Sequence, residues 1–313
     1  MPDGAPEYRA PSGSRVAWVG HDRETMIMAT VEQVGALPEP ASTRYYRHSV
    51  VTRICHWINV VCVIVLLGTG LNIFNAHGGL YWGQYGADAD AGRRWLEITS
   101  ARGADGQPVG TTRVGGIMVE TTGVLGLSKG ADGALQSQAF PGWATIPSWR
   151  DLATGRRWHF FFAWLLILNG LVYLIRGFLS GHIQRQIWPR IRELRPANVL
   201  HDIVEHAKLK FPRGEDAKRY HVLQKIAYGG TVLILLPLMV LTGLSMSPGF
   251  NAAVGGALPE LFGGRASARS IHFITTNLVV LFILVHVLMV VLAGPYNQIR
   301  SMITGRFDTG TER

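Results

Sequence analysis

The apolar residues of this chain are clumped into long runs. Four stretches, His56–Phe74, Trp158–Ile175, Ile226–Met246 and Ile271–Ala293, contain no Asp, Glu, Lys or Arg. A helix needs about 20 such residues to cross the hydrocarbon of a bilayer. A half-buried strand would alternate and a surface helix would show one apolar stripe, so neither produces runs of this kind. The expected fold is an all-α integral membrane protein, a four-transmembrane-helix bundle with one long extracytoplasmic loop. Pro237 should kink the third helix, and Gly294-Pro295 should end the fourth. No internal sequence repeat and no glycine-rich phosphate loop stands out.

The polar segments divide the rest. Residues 1–44 are rich in Pro, Gly and Ser with weak periodicity, and read as a flexible cytoplasmic arm with a short strand near Thr25–Val31. Residues 45–295 form the bundle, and 296–313 a cytoplasmic tail. The outer loop, 75–157, is glycine-rich and carries aromatic residues at Tyr81-Trp82, Trp143 and Trp149. A loop that long is uncommon unless functional, so it should fold over the membrane surface or against a partner. In the loop 176–225, Ile183, Ile187, Ile191 and Leu194 alternate with basic residues. They predict an amphipathic segment on the inner membrane face, broken at Pro189 and Pro196.

Composition agrees and charge adds an orientation. Of 313 residues, 48% are hydrophobic and 16% charged, against about 25% charged in soluble domains. A net charge of +9 suits either nucleic acid or a membrane surface. Its placement favours the lipid bilayer and no nucleic acid. Eleven Lys or Arg fall between Arg176 and Lys225, whereas only Arg265 and Arg269 separate the third and fourth runs. Basic loops stay cytoplasmic, which puts both termini inside. The eight basic residues of Leu80–Arg157 do not overturn this, because long loops cross largely regardless of charge. The first apolar run starts too late for a cleaved signal peptide. Cys55 and Cys62 lie two turns apart on one helix and cannot bridge. They read as small buried hydrophobes, which excludes a disulfide scaffold, a zinc site or an iron–sulfur cluster within the chain.

Candidate chemistry rests on histidine. His56 opens the first helix on the inner side, and His159 opens the second on the outer side. His272 and His286 lie on the fourth, outer and inner respectively. Fourteen residues on one helix leave those two rings about 40° apart around the axis and about 21 Å apart along it. One metal cannot take both, but two stacked sites can. Depth then pairs His159 with His272 and His56 with His286. Haem iron accepts two axial imidazoles, and four-helix bundles build such sites from facing helices. Gly68, Gly70, Gly170, Gly229, Gly230 and Gly243 would admit a macrocycle or close helix packing. Arg53, Arg157 and Arg176 sit at helix ends, where they suit haem propionates or interfacial anchoring. His221, with Gln224 and Lys225, opens the third helix on the inner side and suits a quinone head group. A second reading stays open at this point: a transport protein whose histidines line a proton or metal path.

Several segments resemble a known family. Arg53-Ile-Cys-His-Trp-Ile-Asn59 with Gly70-Leu-Asn-Ile-Phe-Asn75 looks like the first helix of bacterial di-haem cytochrome b subunits. Those serve membrane-bound formate dehydrogenases, nickel–iron hydrogenases and thiosulfate reductases. Arg157-Trp-His-Phe160 resembles the start of their second helix. Leu223-Gln-Lys-Ile-Ala-Tyr228 through Leu241-Thr-Gly-Leu-Ser245 resembles their third, and Ile271-His-Phe273 with Val285-His286 their fourth. The resemblance implies two haems b in the bacterial inner membrane, His56 and His286 on the inner one and His159 and His272 on the outer. It also implies exchange with a quinone pool near the inner haem and an extracytoplasmic oxidoreductase as partner. The outer loop is longer than in the formate dehydrogenase subunits, and the N-terminal arm is an addition. Tyr81-Trp-Gly83 looks more like a subgroup associated with molybdopterin oxidoreductases of the sulfite oxidase type.

The charge asymmetry gives a direct test. A reporter fused after Arg313 should read cytoplasmic; a signal from the opposite side would invert the orientation.

Overall fold

The structure is a computed structural model, and it describes residues 44–86, 92–130, 132–208 and 220–308, with the backbone of three short strands before them. Those strands, β1 (Tyr8–Arg9), β2 (Arg15–Val19) and β3 (Ile27–Thr30), form an antiparallel sheet in the order β1-β2-β3, with Tyr8 and Thr30 both opposite Val16. β3 falls inside the strand expected at 25–31. They belong to a unit separate from residues 46–309. The rest of the arm lies outside the described residues.

The larger unit contains four helices long and apolar enough to cross a membrane: α1 (Val50–Phe74), α2 (Leu152–Leu179), α3 (Val222–Ser245) and α4 (Arg265–Leu292). Each helix begins four to six residues before its apolar run, and α2 alone also runs on past the end of its own. Ser49 caps α1 by accepting from the Thr52 N–H, and Asp151 caps α2 by accepting from Thr154. Exposed Val61, Ile64, Leu168, Leu281 and Leu284 make the lipid-facing surface. Packing is closest between α1 and α2 and between α3 and α4. The first contact carries a polar clamp. Asn169 donates to the Cys55 carbonyl at 2.9 Å and to Asn59 Oδ1 at 2.7 Å. Cys55 and Cys62 are buried and free.

α3 is not a simple kinked helix. It passes through a π turn at Thr231–Leu235, where the Leu236 N–H reaches back to the Thr231 carbonyl. Pro237 follows immediately. Proline has no N–H and crowds the carbonyl four residues before it. The wider turn absorbs both defects. After α2 a second π turn, Ile183–Ile187, buries Ile183 and Ile187, and a helix resumes at Pro196–Ala207. Pro196 therefore starts a helix, where its missing N–H costs nothing.

The long loop is built of strands, which the apolar runs did not predict. Strands β4 (Gly79–Leu80), β5 (Leu96–Arg102), β6 (Pro108–Val114) and β7 (Ile117–Glu120) make an antiparallel sheet in chain order. β8 (Gly126–Lys129) and β9 (Leu135–Gln138) form a hairpin. Leu80, Leu96, Ile98 and Ala139 bury against Phe74 at the end of α1, with Phe140 and Phe273 beside them. The Phe74 ring lies 5.1 Å from Phe273 of α4 and 5.4 Å from Phe140. The same motif that suggested a subgroup seats the sheet on α4. Gly83 and Ser267 exchange two hydrogen bonds, of 2.7 and 3.1 Å, and Ser270 donates to the Tyr81 carbonyl at 2.5 Å. Gly264, with φ of +120°, lets the start of α4 lie directly on the Gly83 carbonyl. Arg269 donates to the His77 and Gly79 carbonyls at 2.5 and 3.1 Å.

Residues 142–149 run back down beside α1. The Ile146 N–H donates to the Gly68 carbonyl at 3.0 Å, and a Cβ on Gly68 would come within 2.6 Å of the Ile146 side chain. Asn72 donates to the carbonyls of both Pro147 and Trp149 at 2.8 Å, and Asn75 bridges to Phe140 with two more bonds. Irregular backbone next to hydrocarbon needs such partners. The Pro147 carbonyl keeps the Thr145 hydroxyl as a second donor at 2.9 Å, so removing the Asn72 amide strands the Trp149 carbonyl alone, at a cost of about 1–3 kcal/mol. Asn72→Ala should therefore lower thermal stability in detergent by about 1 kcal/mol or more and open 142–149 to limited proteolysis; an unchanged cleavage pattern would show that Asn72 does not hold this segment.

Candidate functional site

The helices bring the four intramembrane histidines together in two pairs. Seven residues into α2 stands His159, and seven into α4 stands His272. Their ring centroids are 6.4 Å apart with planes 63° apart. At the opposite end of the bundle, His56 of α1 faces His286 of α4, with centroids 6.5 Å apart and planes at 58°. Depth predicts the same pairs. All four rings are partly buried. α4 is unbroken between its two histidines, so its rise separates the levels by about 21 Å.

The pair near the long loop is held by a motif repeated on two helices. Thr69 of α1 lies 3.0 Å from His159 Nδ1, and Thr242 of α3 lies 3.0 Å from His272 Nδ1. Each hydroxyl donates its own proton one turn back, to Val65 O at 2.7 Å and Leu238 O at 2.7 Å respectively. The hydroxyl oxygen is then left to accept from the ring. His272 Nδ1 also lies 3.1 Å from the Met239 carbonyl, which can only accept. That nitrogen therefore carries the proton, and Nε2 keeps the lone pair. Beside each threonine a glycine lies against the same ring. A Cβ on Gly70 would stand 3.4 Å from His159 Cε1, and a Cβ on Gly243 would stand 3.4 Å from His272 Cε1. No long repeat stands out in the chain, yet Thr-Gly-Leu recurs at 69–71 and 242–244. Three residues are too short a signal without the shared contact to mark them.

The second pair is packed by aromatics. Phe282 stacks on His286 at 5.7 Å with planes 16° apart, and Tyr228 meets the same ring edge-on at 6.0 Å. Trp57 sits edge-on to His56 at 5.3 Å. His56 Nδ1 is buried without a hydrogen-bond partner.

The remaining sequence candidates divide. Arg53 donates to the Ile303 carbonyl, and Trp57 to Met302 at 3.1 Å, which ties α1 to the helix Pro295–Thr304. Arg157 is exposed and donates to Thr154 at 3.1 Å. Arg176 is exposed near the end of α2. Gln224 Oε1 accepts the His221 N–H at 3.2 Å, a capping contact at the start of α3. His221 Nδ1 lies 3.5 Å from Asp202. Lys225 is 9% exposed and pairs with both carboxylate oxygens of Glu193, at 2.8 and 2.9 Å. Burial raises the Glu193 pKa, but the Lys225 hydrogen bond and charge outweigh it and hold the carboxyl below its ordinary range. A cavity of about 300 Å³ is lined by Arg185, Gln186, Arg190, Glu193, Tyr220 and Lys225. Lys225 thus faces a cavity, while His221 and Gln224 are absent from its wall.

Two imidazoles facing one another suit a metal that brings its own equatorial ligands. A metal–imidazole bond of about 2 Å puts the metal about 3 Å from each centroid, so two axial rings stand about 6 Å apart. Among the described residues, no group of three or more His, Cys, Asp or Glu is placed to hold a bare ion.

Comparison with known proteins identifies the family. The chain is 33% identical over 148 residues to a putative protein-methionine-sulfoxide reductase subunit, YedZ1, of Azospira oryzae. That span is 47% of this chain and 69% of the relative. No solved structure matches significantly. The family model of prokaryotic cytochrome b561 matches residues 47–305. Because that match runs through every membrane-spanning helix and both histidine pairs, the chain belongs to the prokaryotic cytochrome b561 family and is a multi-pass membrane cytochrome b subunit.

Proposed function

We propose that this subunit holds two haems b and passes electrons between quinone and an extracytoplasmic, molybdopterin-dependent oxidoreductase. The observation that carries the proposal is the two facing pairs, His159 with His272 and His56 with His286, at 6.4 and 6.5 Å. Each pair would supply the axial ligands of one haem, the first outer and the second inner by the charge asymmetry of the loops. Haem b supplies reversible one-electron transfer when bound. The residues fit it. Gly70 and Gly243 lie against the outer rings, and a Cβ on Gly170 or Gly230 would meet nothing within 4 Å. The rival, a histidine-lined transport path, fits less well. Proton relays need neighbours within hydrogen-bond reach, and the two levels on α4 are about 21 Å apart. Two histidines are also too few to hold a bare ion.

For the partner, the support is the long loop on the outer end and the printed name of the relative, a subunit of a putative protein-methionine-sulfoxide reductase. The sheet covers the end of the bundle next to His159 and His272, where an electron would leave. Its edge strand β7 is exposed along its length, with Ile117 73% exposed. On the inner end, the Lys225–Glu193 pair beside the 300 Å³ cavity offers a hydrogen-bond donor to a quinone carbonyl and a carboxylate to a quinol proton. His221 and Gln224 would act by holding the start of α3. Arg53, Arg157 and Arg176 remain candidates for the propionates, Arg53 through the part of its guanidinium not spent on Ile303.

Purified protein from haem-replete cells should contain two haems b per chain by pyridine haemochromogen assay. His272→Ala should remove the outer haem and spare the inner. Loss of the same spectral component in His272→Ala and His56→Ala would overturn the pairing. For quinone, Lys225→Ala with both haems retained should slow quinol-driven haem reduction roughly tenfold, about 1.4 kcal/mol in the barrier. An unchanged rate and unchanged inhibition by a quinone analogue would move the site away from this cavity.

A further inference from the structure

The two histidine levels differ in one respect that the ligand assignment does not require. Near the loop, both rings have a fixed partner on Nδ1. Thr69 and Thr242 stand at 3.0 Å, on different helices, each with its own hydroxyl proton already committed to Val65 O or Leu238 O at 2.7 Å. The Met239 carbonyl, one turn back from Thr242, adds to this at 3.1 Å from His272 Nδ1. At the other level the buried Nδ1 of His56 has no partner, and no hydrogen bond to His286 is found among the described residues. Aromatic rings alone pack that pair.

A hydrogen bond accepted from the far nitrogen of a ligating imidazole does two things. It fixes the tautomer and the ring plane, and it makes the ligand more basic, which favours the oxidised metal. We propose that Thr69 and Thr242 are positioning residues that present Nε2 of His159 and His272 to the outer haem iron and hold that haem's reduction potential down. The inner haem has no corresponding restraint, so the two haems titrate as separate components rather than as one. The hydroxyl carries the effect, because a threonine methyl in the same place offers no acceptor. This proposal rests on the reading of His159 and His272 as haem ligands.

The test is a redox titration of the full-length, haem-loaded protein in detergent, followed in the visible α-band and by the low-spin ferric electron paramagnetic resonance signal. Thr69→Val and Thr242→Val keep the side-chain shape and remove the acceptor. At the ambient potential that leaves the wild-type outer component half reduced, each variant should be more than half reduced, and the outer ferric signal should shift. The inner component should stay in place. Thr69→Ser and Thr242→Ser should restore both readouts. Loss of the outer haem in the valine variants with retention in the serine variants also supports a hydroxyl that positions the ligand. Loss in all four would mean that the site needs packing rather than a hydroxyl, and would overturn the proposal. Haem retained with an unmoved outer midpoint would overturn it too. His159→Ala and His272→Ala separate the two readings. An outer component that survives those changes defeats the ligand assignment itself. One that disappears there, yet is unmoved by valine, defeats only the role of the threonines.

Discussion

Everything in the bundle refers back to one rigid span, α4. Its 28 residues are unbroken from Arg265 to Leu292, and they carry one histidine for each level. A continuous helix fixes both the rise and the rotation between two of its side chains. Once His272 and His286 are set fourteen residues apart, the other helices must bring their partners to two depths on neighbouring faces. α1 meets the lower level with His56, α2 meets the upper with His159, and α3 contributes Tyr228 to one and Thr242 to the other. The loop sheet depends on the same span. Gly264, Ser267, Arg269 and Ser270 at its start take the weight of residues 77–83. The surface over the upper histidine pair is thus registered to the ligating helix itself.

The asparagines show how polar chemistry survives near hydrocarbon. Asn72, Asn75 and Asn169 are buried, and each spends its amide on backbone or on another amide rather than on solvent. Asn72 and Asn75 fasten the loop to α1, and Asn169 fastens α2 to α1. The resemblance had drawn attention to the segment 70–75 without giving its asparagines a role. Asn72 and Asn75 supply the loop backbone with partners that a neighbouring strand would otherwise give.

The four spans were legible because charge is absent from them and abundant around them. The histidine pairs were legible because depth on a straight helix is simple arithmetic. The strands of the loop were missed although their signals are present: Asp105-Gly106 and Gly115-Gly116 sit at hairpin turns, and Leu96 and Ile98 alternate with more exposed neighbours. The glycines that make those turns also make the segment look unstructured. Thr69 and Thr242 were missed for a different reason. A hydroxyl in a membrane helix usually bonds back along its own helix, as these do. The second use of the oxygen appears only when two helices are docked. Lys225 reads with His221 and Gln224 as facing a quinone head group, but its ion-pair partner, Glu193, lies 32 residues earlier in an irregular segment and is not legible in the sequence. Gln224 read as a quinone donor because capping contacts cannot be told from ligand contacts in a string of letters.

The π turn in α3 sets a limit on how this gene can drift in length. A residue in an ordinary helix turns the chain by about 100°, and a π turn arises when one extra residue is fitted into a turn that would otherwise close. Tyr228 lies before that turn and Thr242 after it, and each has its own histidine to meet. Deleting one codon between Thr231 and Leu235 would give back a regular helix and leave the two halves of α3 close to their present alignment, because the wide turn already holds the extra residue. The same deletion elsewhere between Tyr228 and Thr242 would swing one half by about 100° against the other, keeping the hydropathy profile and losing the alignment of one level. Changes of length in a stretch that looks like plain hydrophobic filler are thus confined to the turn itself.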